Sequence, residues 1–371
     1  MDGKHERKPV ISDLPPLARL PILFLGMLSL VGGIVAGLAR LAWDVPHVAG
    51  AAAGVHGALM ISAFFGTVIS LERAVAVGQR WAYLAPALAA VGGAVLLSGG
   101  LLSIAQILAI AGSMVMTASS IFVLRRLVAP FTLVLAVATV CWLIGNLAWF
   151  ASGLINLAVP WWLAFLVLTI AGERLELTRF LPTPPAARQV FYVIIATIVT
   201  GATISLWHDS GLKLFSAGLL ALALWLLRFD IAWRNARLTA LPRFIAICLL
   251  GGYVWLAFAG LLGLAGALES GHSLRDSALH ALGLGFVFAM VFGHAPIIFP
   301  AVARVRIPYH PAFYIPLTFL HASLLLRIAG GLGGGLSLRR EGALLNAIAL
   351  LSFIAGMLIS VVRDRTMRTA E

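Results

Sequence analysis

The chain has 371 residues, of which 61% are hydrophobic and only 11% are charged, and its mean hydropathy is +1.02. This composition excludes a soluble globular protein and predicts an all-α polytopic integral membrane protein, because a helix satisfies its own backbone hydrogen bonds in hydrocarbon. The formal net charge of +12 does not indicate a nucleic-acid partner, since the basic residues form short groups between apolar runs, where they set topology and contact membrane lipid.

Apolar runs bounded by Gly, Pro or charged residues predict about twelve transmembrane helices in a single domain of residues 1–371. Each run is close to the ~20 residues that a helix needs to cross the hydrocarbon. The shortest predicted connection lies between Gly99 and Ser103. In chain order the runs fall near 19–41, 47–71, 81–101, 103–124, 129–152, 155–173, 187–207, 210–229, 242–267, 274–303, 309–333 and 342–362.

The placement of Lys and Arg predicts the orientation of these helices. If segment 1–18, which lacks a cleavable signal pattern, is cytoplasmic, then segment 363–371 is cytoplasmic too and most of the 26 basic residues lie inside. The six basic residues that this topology places elsewhere are Arg40, Lys213, Arg275, Arg327, Arg339 and Arg340. The preference for Arg over Lys, together with abundant Ala and Leu, is typical of bacteria with GC-rich genomes. We therefore predict a multi-pass protein of a bacterial inner membrane.

Four histidines lie inside the predicted spans and away from their ends: His56, His280, His294 and His321. An imidazole at membrane depth is costly without a partner, so each of them indicates either a functional site or a packing hydrogen bond. His56 and His280 both lie in the outer half of spans that run inward, whereas His294 and His321 lie nearer the middle or the inner half of adjacent spans. Depth therefore predicts two pairs, His56 with His280 and His294 with His321.

Several chemistries could use such a pair. Haem iron takes two imidazoles on opposite faces and tolerates Gly, Phe and Met beside them, whereas copper usually needs three ligands close together. A proton path would need carboxylates at mid-depth, but the candidates Glu72, Glu173 and Glu176 lie at the inner ends of spans. For His56 and His280, which share one depth, a functional role is favoured over packing.

Three arginines in the predicted outer half could neutralise haem propionates, because a guanidinium group binds carboxylates bidentately. They are Arg40, Arg275 and Arg327. The first two fit ordinary interfacial residues that reach toward the membrane surface equally well. Arg327 is harder to explain in this way, since it lies about a turn and a half inside its span.

The stretch HGALMISAFF, residues 56–65, resembles the second span of haem–copper oxidase subunit I, which carries an axial ligand of the low-spin haem. The stretch LHALGLGF around His280 is similar to the NnrS family, a related twelve-span group of haem- and copper-containing proteins tied to nitric oxide metabolism. The resemblance covers the span plan of the whole chain, and its motifs are confined to residues 54–66 and 278–295. It implies that His56 and His280 are the two axial ligands of one haem.

The chain also departs from the oxidase pattern. The oxidases place copper-binding histidines and a cross-linkable tyrosine on spans 6 and 7, whereas residues 155–207 contain no histidine here. They also carry a high-spin haem ligand two residues from the low-spin ligand on span 10, where this chain has Ala278 and Leu282. The dioxygen-reducing centre is therefore not predicted, and the sequence leaves enzymatic activity open.

The surroundings of the first pair indicate how a haem would be held. Gly57 and Ala281 would leave room for the edge of the macrocycle, and Met60, Phe64 and Phe288 would line its apolar face. Phe64 and Phe288 follow the two histidines at the same spacing, which is a faint internal repeat.

Two functions follow from these observations. The first is an NnrS-like haem-binding protein that transfers electrons to an unidentified redox partner or binds a diatomic gas such as nitric oxide. With both axial positions filled, gas binding would need one ligand to leave, or a second metal such as copper at His294 and His321. The alternative is a secondary transporter of a small solute without a metal cofactor, a class favoured by twelve spans, the stretch GGLGGG at 330–335, and prolines within span 10.

Overall fold

The computed structural model describes residues 13–178 and 184–370, and over these ranges it is all-α without a strand. It confirms the twelve predicted spans, each long and apolar enough to cross a membrane. In chain order they are α1 Pro16–Ala39, α2 Ala58–Val77, α3 Arg80–Leu97, α4 Leu102–Arg126, α5 Pro130–Ser152, α6 Ile155–Thr178, α7 Pro185–Ile204, α8 Ser210–Phe229, α9 Ala240–Leu264, α10 Arg275–Ala303, α11 Pro311–Leu332 and α12 Leu336–Asp364.

Most predicted boundaries lie within a few residues of the observed ones. The short connection between the third and fourth spans is present, because Gly99 adopts a left-handed φ of +69° that few side chains tolerate. The last span begins at Leu336, six residues before the predicted start, and its helix continues to Ala370. The predicted cytoplasmic residues 1–12 lie outside the described residues, and so does Arg179.

Two spans share a local irregularity directly after a histidine. Upstream of α2 the chain is already helical, with a helix over His47–Ala51 and a 3₁₀ turn over Ala52–Val55. After His56 and Gly57, α2 then opens as a π-helix over Ala58–Phe65. α10 runs as an α-helix to His280 and then as a π-helix over Ala281–Phe288. π-Helical turns are rare and frequently occur at functional sites.

The centre of the bundle is α6, the most enclosed span, of whose most apolar window 78% is buried. It carries a nearly continuous buried run from Ala158 to Leu168. A helix that is apolar on all sides belongs inside a larger assembly of helices. The segments around His56 and His280 lie beside this helix, since residues at the start of α6 and both histidines line one cavity.

The charge pattern makes a prediction about orientation that labelling can test. The native cysteines, Cys141 and Cys248, are both buried, so background labelling should be low. In spheroplasts, an impermeant maleimide should label Ser210→Cys directly but Thr239→Cys only after permeabilisation, because the Arg-rich loop 229–242 should be cytoplasmic. The reverse pattern would show that the predicted orientation is wrong.

Candidate functional site

His56 and His280 face each other across one end of the bundle, the end predicted to be external. Their ring centroids are 6.3 Å apart and their planes differ by 19°. Two metal–nitrogen bonds of about 2.0 Å would put the nitrogens about 4 Å apart and the ring centroids about 6 Å apart. The spacing therefore fits a single metal ion between the two imidazoles.

A backbone carbonyl fixes each of the two imidazoles. Nδ1 of His56 lies 2.7 Å from the carbonyl oxygen of Gly33, and Nδ1 of His280 lies 2.8 Å from that of Asp276. Because a carbonyl only accepts, Nδ1 carries the proton in each ring, and in neutral imidazole Nε2 keeps the lone pair that a metal needs. Metal-ligating histidines commonly donate their other ring N–H in this way, which sets the tautomer and the ring plane.

Two glycines of α1 allow the helix to approach His56 this closely. A Cβ at Gly37 would lie 2.8 Å from Cε1 of His56, and a Cβ at Gly33 would lie 2.6 Å from Sδ of Met60. The two glycines are four residues apart and form the small-xxx-small pattern, in which the lack of large side chains lets a neighbouring membrane helix approach closely. The sequence interpretation missed both, although this G-x-x-x-G spacing was the available signal.

The two histidines line a cavity of about 870 Å³. Its size falls within the ~300–1,000 Å³ of small-molecule and cofactor sites, which are mostly apolar with a few placed polar groups. Residues of α1, α2, α6, α10, α11 and α12 contribute to its walls. The walls are apolar toward the middle of the bundle, at residues such as Leu163, Leu166 and Leu350.

The apolar residues predicted around the pair are partly in this cavity. Gly57, Met60 and Phe288 line it, whereas Phe64 does not and Phe65 does. A π-helical turn holds an additional residue, which rotates the side chains after His56 relative to an α-helix and brings Phe65 toward the cavity. Phe64 instead stacks on Phe288, with centroids 6.0 Å apart and planes 6° apart. The repeated spacing thus places a phenylalanine pair below the histidine pair.

Arg40, Arg275 and Arg327 all line the cavity, and Arg339 joins them. Arg40 reaches the carbonyl oxygen of Ala53 at 3.4 Å, and Arg275 bonds the carbonyl of Leu268 and lies 3.3 Å from Oδ1 of Asn156. The rim of the cavity is therefore strongly cationic in the described part of the chain.

Arg327 was expected to be available to neutralise a haem propionate, but it already has a carboxylate partner. Its Nε and one terminal nitrogen bind the two carboxylate oxygens of Asp276 at 2.9 and 2.8 Å. Asp276 also lies 3.3 Å from Nε of Arg339 and 3.3 Å from Nδ1 of His280. The sequence interpretation missed Asp276, although its position four residues before His280 puts both on one face of a helix. Four arginines and one carboxylate leave a net positive charge at the rim.

His294 and His321 have separate partners. Nδ1 of His294 lies 2.8 Å from the carbonyl oxygen of Met290, and its Nε2 lies 3.4 Å from Arg174. His321 accepts a hydrogen bond of 2.9 Å from the indole of Trp255, and the planes of the two rings differ by 16°. The two imidazoles share no ring contact or hydrogen bond within the described residues. A copper site that used both would require the rings to leave these partners.

The sequence matches the model of a family described as Domain of unknown function (DUF8744) over residues 19–362. No curated protein matches the chain. The matched range runs from α1 into α12 and includes every residue that lines the cavity.

Proposed function

This chain belongs to the DUF8744 family, and we propose that it is a haem-binding membrane protein with His56 and His280 as the two axial ligands. The single observation that carries the proposal is the histidine pair at the cavity, with ring centroids 6.3 Å apart and both Nδ1 atoms engaged by carbonyl oxygens. This arrangement leaves two Nε2 lone pairs for one iron. The resemblance of residues 56–65 to a haem-binding span supports the same assignment.

The other residues of the cavity suit the rest of the cofactor. Phe65, Met60 and Phe288 would pack against the apolar macrocycle, and glycines at 54, 57 and 283 leave the space that side chains would otherwise fill. Arg40 and Arg275 would pair with propionate carboxylates, because Arg327 is already held by Asp276 and Arg339 lies 3.3 Å from the same carboxylate.

When bound, haem supplies a one-electron redox centre. With both axial positions filled by histidine, electron transfer needs no ligand to leave, so we favour electron transfer in a bacterial inner membrane over gas binding. Nitric oxide binding, the role suggested by the NnrS resemblance, would require either His56 or His280 to dissociate. Mixing the reduced protein with nitric oxide separates the two roles, because an unchanged low-spin spectrum supports electron transfer.

The test of haem binding is an optical spectrum of the purified full-length protein, expressed in haem-replete cells. We expect sharp α and Soret bands of a low-spin haem after reduction and about one haem per chain by pyridine haemochrome assay. A protein purified without a haem spectrum, even after addition of hemin, would overturn the proposal.

The same cavity also favours a second function. An apolar interior with a cationic rim would hold an amphipathic organic anion, which is the substrate class expected if the chain is a secondary transporter. This function predicts no haem spectrum and predicts saturable uptake of such an anion into proteoliposomes. The optical spectrum therefore discriminates between the two functions.

A substitution at Gly283 tests whether haem occupies the cavity. A Cβ at Gly283 would have no atom within 4 Å, and this residue lines the cavity. Leucine there should fit the folded protein but fill the haem space, so Gly283→Leu should lower haem content at least tenfold. Gly356→Leu is the matched control, since a Cβ at Gly356 also meets nothing within 4 Å and this residue is not part of the cavity. Equal haem content in both variants would contradict this placement.

A further inference from the structure

The two halves of the histidine pair differ in charge at the position four residues before each histidine. Counting from each histidine, Phe64 and Phe288 are equivalent, and the residue four positions earlier is Ala52 in one half and Asp276 in the other. Among the described residues, the hydrogen-bond partner of Nδ1 of His56 is the carbonyl oxygen of Gly33. The Nδ1 of His280 lies 2.8 Å from the carbonyl oxygen of Asp276 and 3.3 Å from its carboxylate oxygen. A carboxylate therefore lies directly beside Nδ1 of His280, whereas the partner of Nδ1 in His56 is a neutral carbonyl.

The carboxylate of Asp276 is mostly buried and is held by two arginines. Arg327 binds both of its oxygens, and the side chains of Asp276 and Arg327 are 16% and 8% exposed. Arg339 approaches the same carboxylate at 3.3 Å. Charges in such a partly desolvated site interact more strongly than at a surface. The carboxylate thus keeps a fixed distance from the imidazole of His280.

We propose that Asp276 is a positioning residue that acts through His280 to lower the reduction potential of the bound haem, and that Arg327 moderates this effect. The inference rests on the proposed function. A carboxylate beside Nδ1 makes an imidazole a more basic ligand, and a more basic ligand stabilises ferric over ferrous iron. Arg327 opposes this, because its positive charge partly offsets the carboxylate. The two residues should therefore shift the potential in opposite directions.

The test is an optical redox titration of the purified holoprotein, in which one electron from dithionite reduces each ferric haem to ferrous haem. Asp276→Asn should raise the equilibrium constant for reduction of the haem at least tenfold. This corresponds to a rise in the reduction potential of about 59 mV for a one-electron couple. Arg327→Gln should disfavour reduction and lower the potential. The control Glu269→Gln also removes one negative charge from the same end of the bundle, where Glu269 lies 3.5 Å from Lys213. Glu269→Gln should change the equilibrium constant for haem reduction less than twofold.

A purely structural role for the ion pair would move both variants in the same direction or leave both potentials unchanged, and either result overturns the inference. If Asp276→Asn fails to fold around a buried, unpaired Arg327, the comparison is made between Arg327→Gln and the double variant Asp276→Asn/Arg327→Gln. Loss of the carboxylate should again favour reduction at least tenfold, and a smaller change overturns the inference. A wild-type protein without haem overturns the proposed function and this inference together. Haem binding with unaltered potentials overturns this inference alone.

Discussion

Replacing His56 or His280 with alanine should abolish the low-spin haem spectrum and lower bound haem at least tenfold. Each imidazole would supply one of two axial bonds, and loss of either leaves a five-coordinate iron at best. Neither change should prevent folding, because both rings border the cavity, where an alanine leaves space that is already open. The measurement is haem per chain by pyridine haemochrome assay, with circular dichroism to establish that the helices are intact.

His321→Ala is the matched control for these two variants. His321 is also a histidine within a span, but its ring is hydrogen-bonded to Trp255 and does not line the cavity. This variant should keep the wild-type haem content and spectrum. Normal haem content in both His56→Ala and His280→Ala would contradict the ligand assignment. Loss of haem from His321→Ala alone would indicate that the axial ligand lies on α11 instead.

The fold could be predicted because it depends on hydrophobicity summed over many residues. Twelve runs of about 20 apolar residues are a strong signal, and local exceptions do not erase it. The pairing of His56 with His280 was accessible for a similar reason, since depth in the membrane follows from counting residues along a span. The structure brings these two rings together. Their metal ligation stays a prediction.

The finer features of the site could not be read from periodicity. The choice between Phe64 and Phe65 depends on the π-helix over Ala58–Phe65, whose additional residue per turn rotates the following side chains. No local sequence rule predicts such a turn from these apolar residues. A count that assumes a regular α-helix therefore selects the wrong phenylalanine for the cavity wall.

Of the two charged residues in the ion pair near the site, the sequence singled out Arg327 but not Asp276. Arg327 stood out because an arginine within a span is unusual. Asp276 follows Arg275 at the end of a span, where a charged pair usually faces water. Only the fold shows that α11 crosses α10 at this depth, so that Arg327 and Asp276 form a buried ion pair. Contacts between spans that are distant in sequence are not encoded in either span alone.

The pairing of His294 with His321 shows the limit of an argument from depth. Two residues on adjacent antiparallel spans at one depth meet only if both point to the shared face. His321 instead packs on Trp255 of α9, and His294 points to Arg174 of α6. Depth in the membrane gives the position of a residue along its span. It does not give the rotation of the helix about its axis, which depends on how the helices pack.

Among the described residues, the ion pair with the largest expected effect on stability lies beside His294. Nε of Arg174 lies 2.9 Å from Oδ2 of Asp230, and the two side chains are 4% and 1% exposed. The second oxygen of Asp230 accepts a hydrogen bond of 2.7 Å from the backbone N–H of Ala232. The pair joins the end of α6 that the charge pattern predicts to be cytoplasmic to the end of α8. Its geometry satisfies both charges in a site that excludes water.

Asp230→Asn should lower the free energy of unfolding by roughly 3–5 kcal/mol, because it leaves the guanidinium of Arg174 buried without its counter-charge. The double variant Arg174→Leu/Asp230→Leu should recover most of this loss, since it removes both desolvated charges and fills their space with apolar side chains. The measurement is reversible denaturant unfolding of the purified protein in detergent, followed by tryptophan fluorescence.

Glu269→Gln is the control, because it breaks the ion pair with Lys213 at the surface, where the side chains are 55% exposed for Lys213 and 31% exposed for Glu269. An exposed pair of this kind contributes about 0–1 kcal/mol, so this variant should unfold close to wild type. A loss for Asp230→Asn no larger than that of the control would show that water or another group compensates Arg174. A double variant as unstable as Asp230→Asn would show instead that losing the acceptor of the hydrogen bond from Ala232 costs as much as leaving Arg174 without its counter-charge.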